Sequence, residues 1–108
     1  KLNGILNQRS QDVLVANNWN VTQYSILVHM LAQVCNLEAG EFVHVIADAH
    51  IYDRHIPLVE ELIQRNPYPA PKLLINKEVK DFYDFKVEDF ELEGYQSGQQ
   101  IKGIPVAV

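Results

Sequence analysis

The run from Val21 to Leu37 constrains the fold of this chain more than any other segment. Its apolar residues cover most of the circumference of a helix, and its polar residues step by three or four into one narrow stripe. Such a helix is typical of a core or an interface, so we predict a long buried helix. Asn20, with Gln23 three residues on, fits an N-terminal cap, and Gly40 fits the left-handed residue that ends the helix.

Strand-like segments lie on both sides of this helix. The first, Leu2 to Gln8, contains Gly4, where a bulge or turn is expected. The second, Phe42 to Tyr52, alternates between an apolar face and a face that carries Asp48 and His50. Such a row of hydrogen-bonding groups can bind sugar hydroxyls, orient water or contribute to a metal site, and it can equally be satisfied by burial.

The second half of the chain carries shorter signals. A helix capped by Asp53, with Pro57 in its first turns, has Glu61 and Arg65 as an i,i+4 ion pair. Prolines alternate over residues 66–71 and favour extended backbone, and short strands are predicted at 72–76 and 90–93. The order strand–helix–strand–helix–strand–strand indicates the α/β or α+β class. We expect one domain, residues 1–108, with a mixed sheet packed on the long buried helix.

The composition excludes several classes of protein. Fourteen acidic residues against nine basic ones give a net charge of −5, unlike a bulk nucleic-acid-binding protein, and no apolar run approaches the roughly 20 residues that span a bilayer. The single cysteine excludes an internal disulfide framework and fits a cytosolic, cytoplasmic protein. Cys35 lies in the apolar helix, so we expect a buried structural thiol. We expect no metal site, because His44, His50 and His55 lack metal-ligand spacing.

Two other positions could recognise a ligand. Arg9 and Ser10 end the first strand and can hold an oxyanion, although a surface ion pair between Arg9 and Asp12 is the simpler interpretation. The amide of Asn20 both donates and accepts, so it can read an imide edge such as that of uracil. A helix cap is the simpler interpretation there too.

Taken in order, these positions resemble the thymidylate synthase family. Residues 8–12 read Gln-Arg-Ser-x-Asp and residues 48–52 read Asp-x-His-x-Tyr, as in the family. Asn20 stands where the family places its pyrimidine-reading asparagine, and residues 24–36 resemble the family's long core helix. Further matching segments follow in the expected order at 69–73, 90–95 and 105–108, so the resemblance covers essentially the whole chain.

The resemblance implies a reaction that this chain would not carry out alone. Family members reductively methylate dUMP to dTMP, and 5,10-methylenetetrahydrofolate gives the carbon and the hydride and leaves as dihydrofolate. The family's catalytic cysteine, within Pro-Cys-His, lies upstream of the segment that begins here, and Cys35 is not its counterpart. We therefore expect the C-terminal part of a homodimeric methyltransferase, inactive by itself, with the apolar faces of its helix and strand exposed.

The resemblance also implies roles for individual residues. Asn20 would hydrogen-bond uracil N3 and O4, and the related enzymes that act on dCMP place an Asp there because cytosine offers a donor amine. Ala16, Ile46 and Ala47 replace glycines that are common in the family, so the packing beside the folate can differ. For the nucleotide, the resemblance implies that Arg9 and Ser10 contact the dUMP phosphate and that Gln11 and Asp12 lie along the nucleotide. His50 and Tyr52, which flank Ile51, would contact the deoxyribose 3′ hydroxyl. For the folate, it implies a contact with Asp12, and Ala107 and Val108 would close over it.

Two alternatives from other classes stay open. The chain could be a non-catalytic module that binds a nucleotide or anion, or a structural fragment without ligand affinity. Measurable dUMP affinity separates the first alternative from the second.

Overall fold

The computed structural model describes residues 1–107, so the expectation for Val108 lies outside the described residues. The chain forms two compact units. The first comprises residues 1–51 and 77–85, and the second comprises residues 52–76 and the described residues from 86 onward. The expectation of one domain over residues 1–108 stays a prediction.

The first unit is built on a strand–helix–strand motif. Its elements are β1 (Leu2–Asp12), α1 (Asn17–Val34) and β2 (Ala39–His50), followed by a 3-10 turn at Phe82–Asp84. β1 and β2 pair in parallel, a pairing that requires a crossover connection, which α1 supplies. The register shifts between Leu2 and Gly4, so the predicted irregularity at Gly4 is confirmed.

Gly4 is where α1 comes closest to β1. A Cβ atom at this position would lie 2.6 Å from the Val28 Cγ2 atom, so only glycine lets the helix and strand approach this far. Val28 and Ala32, one turn apart, are the buried residues of α1.

The prediction of a long buried helix is wrong, since Tyr24 and Leu31 are exposed. One two-stranded sheet covers only one stripe of a helix, whereas the apolar residues of α1 surround it.

The ends of α1 also differ from the prediction. The helix begins at Asn17 after Ala16 and has no side-chain cap, so Asn20 lies in the first turn and is not the cap. The chain enters the helix early because the Asp12 carboxylate accepts a hydrogen bond from the Val15 amide and organises the preceding turn. At the other end Asn36 takes the left-handed conformation (φ 55°), and Gly40 lies inside β2.

The second unit contains a helix and a small antiparallel sheet. Its elements are a 3-10 turn at Asp53–His55, α2 (Ile56–Ile63), β3 (Lys72–Ile75), a second 3-10 turn at Val87–Asp89 and β4 (Phe90–Glu93). The two short predicted strands are confirmed, and they pair with each other. The predicted mixed sheet is replaced, in the described residues, by two separate sheets of two strands each. One sheet is parallel and the other is antiparallel, so neither is mixed.

The start of α2 is partly as predicted. Pro57 lies in its first turn, and the ion pair of Arg65 with Glu61 forms at 2.6 Å. Asp53 does not cap α2, because a 3-10 turn that contains Asp53 precedes the helix and His55 occupies the cap position.

A polar clamp joins β3 to β4. The Asp89 carboxylate accepts hydrogen bonds from the Asn76 side chain (2.9 Å) and the Lys86 backbone amide (2.8 Å). The Asn76 backbone amide in turn donates to the Asp89 backbone carbonyl at 2.8 Å. The Asn76 hydrogen bond, followed by that of Lys86, holds the pKa of Asp89 below its ordinary value, because both favour the charged carboxylate.

Candidate functional site

The carboxyl ends of β1 and β2 bring three predicted side chains together. The register places Ser10 opposite Asp48 and Asp12 opposite His50. The Ser10 hydroxyl and the His50 Nδ1 atom each lie 3.5 Å from an oxygen of the Asp48 carboxylate. Parallel strands bind ligands at their carboxyl ends, where polar side chains are not covered by the sheet. This edge can therefore offer a hydroxyl, a carboxylate and an imidazole to one ligand.

A network of side-chain amides continues from this edge towards α1. The Gln8 Nε2 group donates to the Ser10 carbonyl (2.8 Å) and to the Asn20 Oδ1 atom (3.2 Å). The His44 Nε2 atom lies 2.8 Å from Gln8 Oε1 and must carry the proton, since that oxygen only accepts. The oxygen of Asn20 thus faces Gln8, and its Nδ2 group is left as a donor. The cap interpretation of Asn20 does not hold, because its side chain bonds Gln8 instead.

Gln8 and His44 were not among the predicted site residues. The signal that could have found them is strand alternation, which puts Gln8 on the face of Ser10 and His44 on the face of Asp48 and His50. Gln8 also opens the Gln-Arg-Ser-x-Asp segment, but no sequence pattern shows its contact with Asn20, because that contact joins a strand to a helix.

Arg9 lies apart from these groups. It is exposed, and strand alternation places it on the face of β1 opposite to Ser10. It borders a shallow hollow of about 230 Å³ that is also lined by Asn7, Val45 and Ala47. Within residues 1–107 it forms no ion pair with Asp12, so the simpler interpretation of Arg9 is not observed. Its guanidinium is therefore available to an anion.

Gln11 is almost completely buried, with 1% of its surface exposed. Its Nε2 group donates to the Asp12 carbonyl at 3.2 Å, and its Oε1 atom has no partner among the described residues. Buried acceptors are normally satisfied, so this oxygen is a candidate acceptor for a donor group of a ligand.

The remaining predicted residues are distributed over both units. Ile51 follows β2 in the first unit and is exposed, whereas Tyr52 and Ala107 belong to the second unit. Ala16 has a φ of −110°, so the backbone there does not require the glycine of the family pattern. In β2, Ile46 is half-buried and Ala47 is exposed.

Cys35 is exposed, so the prediction of a buried thiol is wrong. α1 ends at Val34, and Cys35 caps it beyond the stripe that contacts the strands. Among the described residues, no group of three His, Cys, Asp or Glu side chains is arranged to hold a metal ion. Nor is any helix in residues 1–107 long and apolar enough to cross a bilayer.

Known proteins share the sequence pattern and the fold of this chain. The family model described as thymidylate synthase matches residues 1–108. Among solved structures, thermostable thymidylate synthase A from Bacillus subtilis is 42% identical and superposes with a TM-score of 0.88. The match covers 92% of this chain and 36% of that protein. The chain thus spans little more than a third of the length of this relative.

Proposed function

Because the chain belongs to the thymidylate synthase family, we propose that it is the C-terminal part of an enzyme that methylates dUMP to dTMP. In this proposal 5,10-methylenetetrahydrofolate donates the carbon and the hydride and leaves as dihydrofolate. The observation that carries the proposal is the carboxyl edge of β1 and β2, where Ser10, Asp48 and His50 converge. Hydroxyl, carboxylate and imidazole groups can hydrogen-bond the hydroxyls of a nucleotide sugar, and the hydroxyl and imidazole can also donate to its phosphate.

Asn20 is the proposed reader of the base. An amide oxygen has two lone pairs, and Gln8 uses one of those on Asn20. The second can accept the N3–H group of uracil while the Asn20 Nδ2 group donates to O4. Cytosine presents the reverse pattern at these positions, so the arrangement favours dUMP over dCMP.

Arg9 and Ser10 are the proposed donors to the dUMP phosphate. An exposed guanidinium without an ion-pair partner supports the role of Arg9. Because strand alternation separates the two side chains, we treat their phosphate contacts as independent. Gln11 and Asp12 along the nucleotide, Asp12 with the folate, and His50, Ile51 and Tyr52 near the deoxyribose are further proposals from the family resemblance.

The nucleophile is proposed to lie outside this chain. Addition of a cysteine thiolate to C6 of the uracil would activate C5 for methylation. Cys35 is not assigned this role, since it caps α1 at the end opposite to Asn20.

The test compares the 108-residue chain with the complete protein. Each is incubated with dUMP and methylenetetrahydrofolate, and the absorbance of dihydrofolate is followed. The complete protein should turn over and the 108-residue chain should not. Appreciable turnover by the shorter chain would contradict the position of the nucleophile, and none by the complete protein would contradict the proposed reaction.

A homodimer is proposed for the complete enzyme. The face of β1 and β2 that carries Ile5, Val43 and Val45 is apolar and exposed, as expected from the resemblance. Apolar patches of this kind are typical of protein–protein contacts.

A further inference from the structure

The C-terminal segment of the second unit is held by side chains although it has no regular structure. Residues 96–107 form neither helix nor strand. The His55 Nε2 atom lies 2.8 Å from the Pro105 carbonyl oxygen, and the Arg54 Nη1 group donates to the Val106 carbonyl at 2.9 Å. Two adjacent donors on one 3-10 turn therefore bind two adjacent carbonyls.

Two adjacent hydrogen bonds fix the C-terminal segment more firmly than one hydrogen bond could. A single hydrogen bond to a carbonyl leaves the chain free to pivot about it, because carbonyl acceptors tolerate a broad range of directions. A second bond to the next carbonyl fixes the direction of the chain as well as its position. Gly103, with a φ of 67°, turns the chain just before this point and takes a conformation that favours glycine.

His55 is the buried residue of this arrangement. It is 2% exposed, and it is the only described residue of the second unit that is fully buried. Its Nε2 atom must carry the proton, because a carbonyl only accepts, and its Nδ1 atom has no partner among the described residues. The ring also contacts Tyr52 edge to face, with centroids 5.8 Å apart. Loss of the Pro105 contact would leave both nitrogens of a buried ring unpaired, so ring and segment stabilise each other.

We propose that Arg54 and His55 are positioning residues that anchor the backbone at residues 105 and 106 and so set where Ala107 meets the folate. This inference rests on the proposed function, and the folate contact of Ala107 is what the family resemblance implies. Of the two anchoring side chains, His55 also contacts Tyr52, a proposed deoxyribose residue, whereas the Arg54 guanidinium bonds the Val106 carbonyl. Loss of the Arg54 bond should therefore affect the folate more than the nucleotide.

The test uses the complete protein with Arg54→Met, which keeps the aliphatic part of the side chain and removes the donors. Loss of a charge-assisted hydrogen bond at an exposed site should raise the KM for methylenetetrahydrofolate about fivefold. The KM for dUMP should stay within about twofold, because Arg54→Met removes the bond to Val106 and keeps the contact of His55 with Tyr52. Arg54→Lys, which can still donate to one carbonyl, should recover part of the loss.

Arg65 provides the matched control. Its Nη1 group donates to the Gln99 carbonyl at 2.7 Å, which is the same chemistry six residues upstream of the anchor. Arg65→Met should leave both KM values within about twofold of the wild type. Equal effects of Arg54→Met and Arg65→Met on the folate, or an equal rise in both KM values for Arg54→Met, would overturn the positioning role.

Amide hydrogen exchange gives a readout that needs no activity. Peptides covering residues 101–107 should exchange faster in Arg54→Met than in the wild type, and His55→Gln, which keeps a donor, should exchange more slowly than His55→Leu. Unchanged exchange in Arg54→Met would refute the anchor. Faster exchange in a complete protein that shows no dUMP turnover would keep the anchor but overturn its role in folate closure, together with the proposed function.

Discussion

The amide of Asn20 shows how one side chain acquires a direction. Its oxygen accepts from Gln8, whose own amide is oriented by the Ser10 carbonyl on one side and by His44 on the other. An isolated asparagine on a helix could present either end of its amide. Here the neighbouring strands determine that the Nδ2 group remains available as a donor.

Asn20→Asp is therefore expected to change the preferred nucleotide. The carboxylate would still accept from Gln8, so the fold should persist, but the outward donor becomes an acceptor. The ratio of kcat/KM for dUMP to that for dCMP should fall by about 100-fold or more in the complete protein. Asn36→Asp, the same change at the other end of α1, is the control and should leave the ratio unaltered. An unchanged ratio in Asn20→Asp would contradict the proposed role.

At the scale of elements, the contact of α1 with β1 depends on Gly4. Gly4→Ala should destabilise the protein by about 1–3 kcal/mol, because the new Cβ would overlap Val28 in a packed contact. Chemical denaturation followed by circular dichroism measures this loss. In Gly98→Ala the new Cβ would meet only the Arg65 guanidinium, at an ordinary contact distance of 3.5 Å, so this control should cost much less. The double variant Gly4→Ala with Val28→Ala should recover part of the packing loss.

The clamp between β3 and β4 predicts a dependence on pH. Because the pKa of Asp89 is lowered from 3.8 in the folded state, the charged carboxylate favours folding, and this contribution is complete above the unfolded value. It is lost as the pH falls through 3.8 towards the lower folded pKa. The stability difference between wild type and Asp89→Asn should thus be constant near neutrality and shrink below about pH 4. Urea titrations at several pH values measure this difference in the free energy of unfolding, and Glu88→Gln is the control. A stability difference between wild type and Asp89→Asn that grows in acid would contradict the clamp.

At the scale of the whole molecule, the first unit exposes an apolar face of β1 and β2. Ile5 is 69% exposed and Val45 is 48% exposed, on neighbouring strands of one sheet. Such a face on an ordinary small domain would be turned towards the core. In this chain α1 occupies the other side of the sheet, where Gly4 meets Val28.

We expect the 108-residue chain to self-associate through this face. Val45→Lys should shift sedimentation towards the monomer, because burying an unpaired lysine in an apolar contact is unfavourable. Val87→Lys, at an exposed position of the second unit, is the control and should not change the distribution. Sedimentation of the wild-type chain as a clean monomer would count against association through any of these surfaces.

Local patterns determined much of what was found. The order of helices and strands, the irregularity at Gly4 and the Arg65–Glu61 pair all follow from residues close together in sequence, and each is confirmed. The family followed as well, since its motifs are linear. Residues joined only through space, such as Gln8 and His44 beside Asn20, could not be predicted.

Only the tertiary structure decided which surfaces are buried. Alternation divides a strand into two faces but does not say which of them meets a helix, and on β2 the half-buried face carries His44 while the apolar face with Val45 is exposed. The same reason explains why the predictions of a buried α1 and a buried Cys35 are wrong, since an apolar helix is buried only where another element covers it. The sequence by itself therefore determined the elements and the family. The contacts between distant segments determined burial, the direction of Asn20 and the anchoring of the C-terminal segment.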